Sequence, residues 1–372
     1  MASSGINHKS VLNLFEMTES TALKRTSTFT QFFTTTWDAF ESACQTQQTQ
    51  VVWLTVGGST IKLSFAGQAM VANVLPALAH LVVAPQASVD LHIGVWDSAS
   101  TAVSMTPPPW AEDDYAPRGE IKGMDGQTAV HVAYHPGSGI LSLLDVENQT
   151  AVLWMRDARE CPYYEQAAPL RTIFHWWASS KGQQFVHGAA IGTEDGAVLL
   201  SGKGGSGKST TALNCLLSGM TYLGDDYVLC DLAGKQTAVY SVFNSAKVDA
   251  QALQLLPQLA DKVTGNPQQT DEKRVLLAYE HFPHLLRQCL PLRAILIPQV
   301  TNEVNTQLHP VKQSLAFLAL APTTVFQLPG ARETAVSFLR QLVMQLPCYQ
   351  LQPGSDLAQI PPVIQAVLER HK

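Results

Sequence analysis

The residues whose types and spacing suit chemistry gather between positions 187 and 226. Residues 199–216 read LLSGKGGSGKSTTALNCL, in which Gly202, Lys203, Gly204, Gly205, Ser206, Gly207, Lys208 and Ser209 meet the pattern GxxxxGK[ST], with Thr210 next. Glycines let successive backbone N–H groups converge on phosphate oxygens at angles that a Cβ would block. Lys208 sets a cation against the β- and γ-phosphates of a nucleotide, and the Ser209 hydroxyl suits Mg²⁺. A helix opening at Gly207 aims its positive dipole end at the same anion. A chance match is the competing reading, but an apolar strand pattern before the loop and a helix pattern after it favour a true phosphate cradle.

Downstream, LGDDYVLC places Asp225 and Asp226 17 and 18 residues after Lys208, one short helix away. Neighbours on a strand point to opposite faces, so sharing one site requires a bend, which Gly224 permits. One carboxylate can then hold Mg²⁺ while the other accepts a proton from an attacking hydroxyl. Upstream, His187 in FVHGAAIG lies 21 residues before Lys208. A turn at TEDG (193–196) pairs its strand with the one feeding the loop and carries it towards the site. A purely structural histidine is the alternative.

These residues need elements to position them. In the second half, FVHGAAIG, AVLLSG, MTYLGDDYVLC and LPLRAILIPQV (290–300) read as strands. GKSTTALNCLLSG, SAKVDAQALQLLPQLADK, DEKRVLLAYEHFPHLLRQ, PGARETAVSFLRQLVMQL and LAQIPPVIQAVLERH read as helices. Helices interleaved with apolar strands predict an α/β layer. In the first half, residues 1–50 are rich in Thr, Ser and Gln and read as a poorly ordered arm or a marginal helix. VVWLTVGGSTIKLSFAG (51–67) is a hairpin about Gly57-Gly58. An apolar helix at 69–83, a strand at 89–97, a proline-rich loop at 105–120, three strands at 128–157 and a helix at 164–182 follow. Three units result: the arm, an α+β accessory or substrate domain at 51–180, and a catalytic α/β domain at 181–372.

Composition narrows the partners. Apolar residues make up 46% and charged residues 15%, which suits a sizeable core. With 24 Lys and Arg against 30 Asp and Glu, the formal charge is −6, and no broad basic surface invites nucleic acid or anionic membrane. Six scattered cysteines show no metal-ligand spacing and fit a reducing cytosol. No signal-peptide core opens the chain, and AMVANVLPALAHLVVAP falls short of the ~20 apolar residues of a span. The expectation is a cytoplasmic protein; homo-oligomerisation is left open.

His-Gly, β-turn-β, a short P-loop, one helix and Asp-Asp together resemble the catalytic domain of HPr kinase/phosphorylase and its related serine kinases, over about forty residues from His187 to Asp226. That family shares its nucleotide fold with phosphoenolpyruvate carboxykinase. The resemblance implies a P-loop kinase domain in which Lys208 and Ser209 bind ATP and Mg²⁺, the two aspartates divide the base and metal roles, and His187 lines the site. Thr210 stands where HPr kinases carry an acidic residue, and the segment that docks HPr is not found. The closer match is therefore the diverse branch acting on peptides or small hydroxyl compounds.

The leading functional reading is an ATP- and Mg²⁺-dependent kinase acting on a hydroxyl of a small molecule, peptide or protein serine, with Asp225 as base and Asp226 on the metal. The alternative is a nucleotide-hydrolysing or nucleotide-sensing protein without phosphotransfer. A GTPase lacks its NKxD element here, and a transport ATPase lacks a separate signature motif. Lys247 and the pair Lys273-Arg274 are further candidates for phosphate or substrate contact, against solvated helix charges. Arg293, in an apolar strand, expects a partner. His281 and His284, three apart on one helix face, have no third ligand in view.

Overall fold

The computed structural model describes residues 8–122, 129–265, 273–301, 303–330 and 332–372. The chain opens with one helix, α1 (His8–Thr46), so of the two readings of the first fifty residues it is the helical one that appears. From its second half, Phe29, Phe32, Phe33 and Phe40 are buried against Trp96 and Trp154 of the sheet beneath. Each such ring contributes roughly 1.5–3 kcal/mol by burial. Gly94 of that sheet is what admits Phe40, since a Cβ there would stand 2.6 Å from the ring.

That sheet contains, among the described residues, β1 (Thr49–Val56), β2 (Ser59–Ala66), β3 (Val82–Val83), β4 (Leu91–Asp97), β5 (Val130–His135), β6 (Ile140–Asp145) and β7 (Thr150–Met155), in the order β3-β1-β2-β4-β7-β6-β5. The hairpin about Gly57-Gly58 joins β1 to β2, and β5, β6 and β7 form an antiparallel meander. β4 lies parallel to both β2 and β7, so the sheet is mixed. The helix expected at 69–83 is the shorter α2 (Val71–Leu78), and one turn, α3 (Ser98–Thr101), follows β4. The helix expected at 164–182 is two pieces, α4 (Tyr163–Ala167) and α5 (Arg171–Ser180). Pro169 and a left-handed Leu170 (φ 60°) break it.

The second sheet is also mixed. Its strands are β8 (Gln184–His187), β9 (Ala189–Thr193), β10 (Gly196–Leu200), β11 (Thr221–Gly224), β12 (Tyr227–Asp231), β13 (Ala238–Tyr240) and, after a small separate sheet, β17 (Cys289–Pro298). The order is β11-β9-β10-β17-β13-β12-β8, and β17 lies parallel to β10. Two expected single strands are broken. FVHGAAIG divides at Gly188 into β8, which pairs with β12, and β9, which pairs with β10. MTYLGDDYVLC divides at Asp225-Asp226 into β11 and β12.

Two expected helices are corrected. SAKVDAQALQLLPQLADK begins as strand β14 (Ser245–Val248) before α7 (Ala250–Leu255), which is capped by the Asp249 side chain and stopped by Pro257. β15 (Val263–Thr264) follows, and DEKRVLLAYEHFPHLLRQ supplies β16 (Arg274–Leu277), paired with β14 and β15, then one turn, α8 (Ala278–His281). β18 (Gln307–Pro310) and β19 (Cys348–Gln352) extend the second sheet beside β17. Between the loop and β11 runs α6 (Lys208–Leu217). The chain closes with α9 (Gln313–Val325), unforeseen in the sequence, α10 (Arg332–Gln345) and α11 (Ile360–Arg370). α6 and α11 bury one face of the second sheet; α9 and α10 bury the other. A further core runs across residue 180, joining Leu63, Ile93 and Phe174 to Phe185, Leu229 and Phe243. Among the described residues no helix is long and apolar enough to cross a membrane.

Candidate functional site

β10 ends at Leu200, and the Ser201 N–H donates to Leu296 O (3.0 Å), so the loop leaves the sheet from a fixed point. Gly205 (φ +74°) and Gly207 (φ +96°) adopt left-handed backbone, and Gly207 caps α6. A Cβ on Gly204 or Gly205 would meet nothing within 4 Å, so the loop borders open space. Lys208 is buried and turns back on the loop, its Nζ donating to Gly202 O (2.7 Å) and Lys203 O (3.1 Å). Burial pushes its pKa down, and the nearby Asp225 and Asp226 carboxylates oppose that. The Ser206 and Ser201 hydroxyls are buried without a partner. Thr210 lies in the first turn of α6.

Asp225 and Asp226 meet the loop at the break between β11 and β12. Asp226 has φ +70°, a strained value for a residue with a side chain. The Tyr227 N–H donates to Asp225 O (2.9 Å) and the Gly188 N–H to Asp226 O (3.2 Å), holding that turn. It solves the geometric problem of two adjacent carboxylates at one site, with Asp226 rather than Gly224 alone making the bend.

The two carboxylates have different surroundings. Asp225 is 2% exposed; burial and the neighbouring Asp226 raise its pKa, while Ser209 favours its charged form. Its Oδ1 has no hydrogen-bond partner. Asp226 is about a quarter exposed (24%) and fully engaged. His187 Nε2 lies 3.2 Å from Oδ1, and Lys247 Nζ donates to Oδ2 at 2.6 Å. Burial works to raise Asp226, but the His187 hydrogen bond and the Lys247 ammonium hold it well below the usual carboxylate range.

The β8–β12 register sets His187 directly opposite Tyr227. Its backbone N–H donates to Thr324 Oγ1 (3.2 Å) on α9. Lys247 arrives from β14, a strand inside a segment whose pattern suggests helix. Lys273 lies near enough to Lys208 to depress its pKa, whereas Arg274 belongs to the β14–β16 ladder. Arg293 sits elsewhere: its Nη2 donates to Asp195 O (3.1 Å) at the start of β10, the end of the strand away from the loop. His281 ends α8 and His284 lies in a separate 3₁₀ turn, so the shared helix face does not exist. Among the described residues no three His, Cys, Asp or Glu side chains gather as a metal cluster.

Three residues near the dyad carried no signal in the sequence. The Tyr227 ring lies 5.7 Å from the His187 ring, and its hydroxyl donates to Gln327 (3.1 Å). Burial and Asp226 raise its pKa, while Arg171 and Arg118 oppose the rise. Neither arginine stands in a motif; only the fold of the first half brings them here.

The cradle suits a nucleotide phosphate and its divalent ion on its own terms. Open space borders the glycines, and orphaned polar atoms on Ser206 and Asp225 await a partner.

No protein-family model matches this chain, and no curated protein matches it. Among solved structures, the Hpr(Ser) kinase/phosphatase from Coxiella burnetii shows a weak, fold-level likeness, with TM-score 0.28 and 10% identity over 50% of this chain and 95% of that chain. A likeness at that level carries no chemistry, so function has to be read from the geometry of the site.

Proposed function

We propose that this chain is an ATP- and Mg²⁺-dependent phosphotransferase that moves the γ-phosphoryl group to a hydroxyl of a small molecule, peptide or protein serine. One observation carries the reading: Asp225 keeps a buried, unpartnered carboxylate oxygen beside Ser209, at the mouth of a glycine loop that opens a helix. An unsatisfied buried polar atom is costly, of order 1–3 kcal/mol, and is retained where a ligand completes it.

In this reading Lys208 gives up the Gly202 and Lys203 carbonyls for phosphate oxygens, and the loop amides with the α6 dipole stabilise the charge that develops during transfer. Ser209 and Asp226 would hold Mg²⁺, which when bound neutralises the charge of the β- and γ-phosphates. Both Asp226 oxygens already serve His187 and Lys247, so a divalent ion competes there with the Lys247 ammonium. Asp225 Oδ1 accepts the acceptor's proton, and His187 positions Asp226.

The test is γ-labelled ATP incubated with the purified protein and fractionated extract, with Lys208→Ala and Asp225→Asn as controls. Label in a new product that both variants abolish supports the reading. Label released only as inorganic phosphate, equally with and without extract, refutes it in favour of hydrolysis. Transfer at full rate in Asp225→Asn refutes the base assignment.

A further inference from the structure

Arg293 lies in the apolar strand β17, away from the glycine loop and the dyad, and the partner its setting calls for is not a carboxylate. Its Nε and Nη2 donate to Asp195 O at 3.3 and 3.1 Å, and its Nη1 donates to Gln236 Oε1 at 3.5 Å. Its stem crosses Gly196, where a Cβ would stand 2.6 Å from Arg293 Cγ, so that glycine makes room for the side chain. Contacts along the stem and at the guanidinium itself thus place the group. Three of its five N–H groups are engaged in this way, and two are left for a ligand.

Arg293 lines an open cleft of about 600 Å³, together with Lys235, Gln236, Gln345, Arg370 and Lys372, and no acidic residue lines it. Lys372 has a counter-charge, its Nζ 2.7 Å from Asp195 Oδ2. Among the described residues Lys235, Arg293 and Arg370 have no carboxylate within 4 Å. Cations gathered on one cleft repel one another, and an oxyanion between them relieves that repulsion. The Thr237 hydroxyl donates to Gln345 Oε1 (2.9 Å), which leaves the amide N–H₂ of Gln345 as a further donor. β17 runs parallel to β10, with Leu292 opposite Ala197, so the cleft lies where both strands begin. The glycine loop leaves β10 at its other end, five strand residues on, a separation of roughly 15 Å at about 3.3 Å per residue.

We propose that this cleft is a second ligand site, separate from the glycine loop, and that it binds a small organic polyanion whose phosphate or carboxylate oxygens meet the Arg293 guanidinium. The volume is that of a small-molecule site, and a guanidinium is the side-chain cation best matched to either oxyanion. Lys235 and Arg370, both exposed, add charge to the same cleft. The inference stands apart from phosphotransfer at the loop, since none of these residues belongs to the loop or the dyad.

The full chain is titrated calorimetrically at low salt with 2,3-bisphosphoglycerate, citrate and neutral glycerol. At least one of the two polyanions is expected to bind about tenfold or more tighter than glycerol, and which one does so distinguishes phosphate from carboxylate. Arg293→Gln should weaken that binding by about tenfold or more. Arg293→Lys, which keeps the charge and loses the fork, should fall between the two. Lys235→Gln combined with Arg370→Gln, at two exposed positions, should weaken it as well, and this double variant decides the matter if circular dichroism shows Arg293→Gln to be unfolded. Lys208→Ala, in the glycine loop, should leave the cleft-dependent binding in place. Polyanions binding no better than glycerol, or binding unchanged in the folded cleft variants, would overturn the inference. Binding that Lys208→Ala abolishes would overturn it too, by placing the anion in the glycine loop.

Discussion

Replacing Gly188 by alanine tests how the second sheet holds the candidate site. Gly188 separates β8, which carries His187, from β9, which lies against the strand feeding the loop, and its N–H donates to Asp226 O. Its φ lies outside the left-handed region, so an added methyl group meets no intrinsic backbone strain. It meets the Leu200 carbonyl instead, at 2.6 Å, one residue before the loop begins. Ordinary contact for a Cβ begins near 3.4 Å, so β10 or the Asp226 turn must give way by about 0.8 Å. Overpacking of a rigid core costs about 1–3 kcal/mol, and here the displaced atoms are those that place Lys208 and the dyad. Gly204→Ala is the control, because a Cβ there meets nothing within 4 Å, in the space where phosphate would lie. Urea unfolding should show Gly188→Ala destabilised by about 1–3 kcal/mol and Gly204→Ala within about 0.5 kcal/mol of wild type. Titration with ATP and Mg²⁺ should show affinity lost in both. Unchanged stability in Gly188→Ala refutes the packing argument, and full ATP affinity in Gly204→Ala refutes the phosphate cradle.

Other consequences concern charge. Lys247→Met leaves Asp226 to His187 alone; the pair is about a quarter exposed, so stability should fall by about 1–3 kcal/mol, below the loss for a fully buried pair. The same variant should reach half-saturation of ATP binding at lower Mg²⁺, and an unchanged Mg²⁺ requirement would separate Asp226 from the metal. His80, half-buried with Nε2 2.7 Å from Ser241 Oγ, has its pKa lowered by desolvation to about 4. That lies below its unfolded value of about 6.5, so its contribution to stability is complete above pH 6.5 and is lost as pH falls towards 4. His80→Gln should flatten the pH dependence of stability in that window by about 1.4 kcal/mol per pH unit, measured by urea unfolding; equal slopes in both proteins contradict this.

What the sequence discloses depends on how local the cause is. Gly57-Gly58 between two β-rich runs dictates a hairpin by backbone freedom alone, and β1 and β2 pair as expected. The helix after the glycine loop and the long apolar strand β17 also carry their signal within themselves. Residues 274–277 do not. Arg-Val-Leu-Leu is too short for its periodicity to tell strand from helix, and the decision falls to β14 and β15, which pair with it from elsewhere in the chain. Fourteen residues of amphipathic helix in α10 were legible, but α9 was not, because its apolar residues face both the sheet and solvent, with Leu315 and Leu318 exposed.

The same distinction runs through the candidate site. Loop, dyad and histidine lie within forty residues, so spacing alone brings them into one reading. Their division of labour is not local. Which aspartate is free and which is spent follows from Lys247 on a strand 21 residues away and from a left-handed turn at Asp226. Nothing in an Asp-Asp pair announces that asymmetry. It makes Asp225 the carboxylate with unused hydrogen-bonding capacity and Asp226 an anion held in place by the Lys247 ammonium and the His187 ring. The influence of the first half of the chain is less local still. Arg171 and Arg118 bear on Tyr227 electrostatically, and a core continuous across residue 180 packs the first sheet against the second. A substitution in that shared core, such as Phe174→Ala, therefore loosens the packing of the first sheet against the second without touching the glycine loop itself.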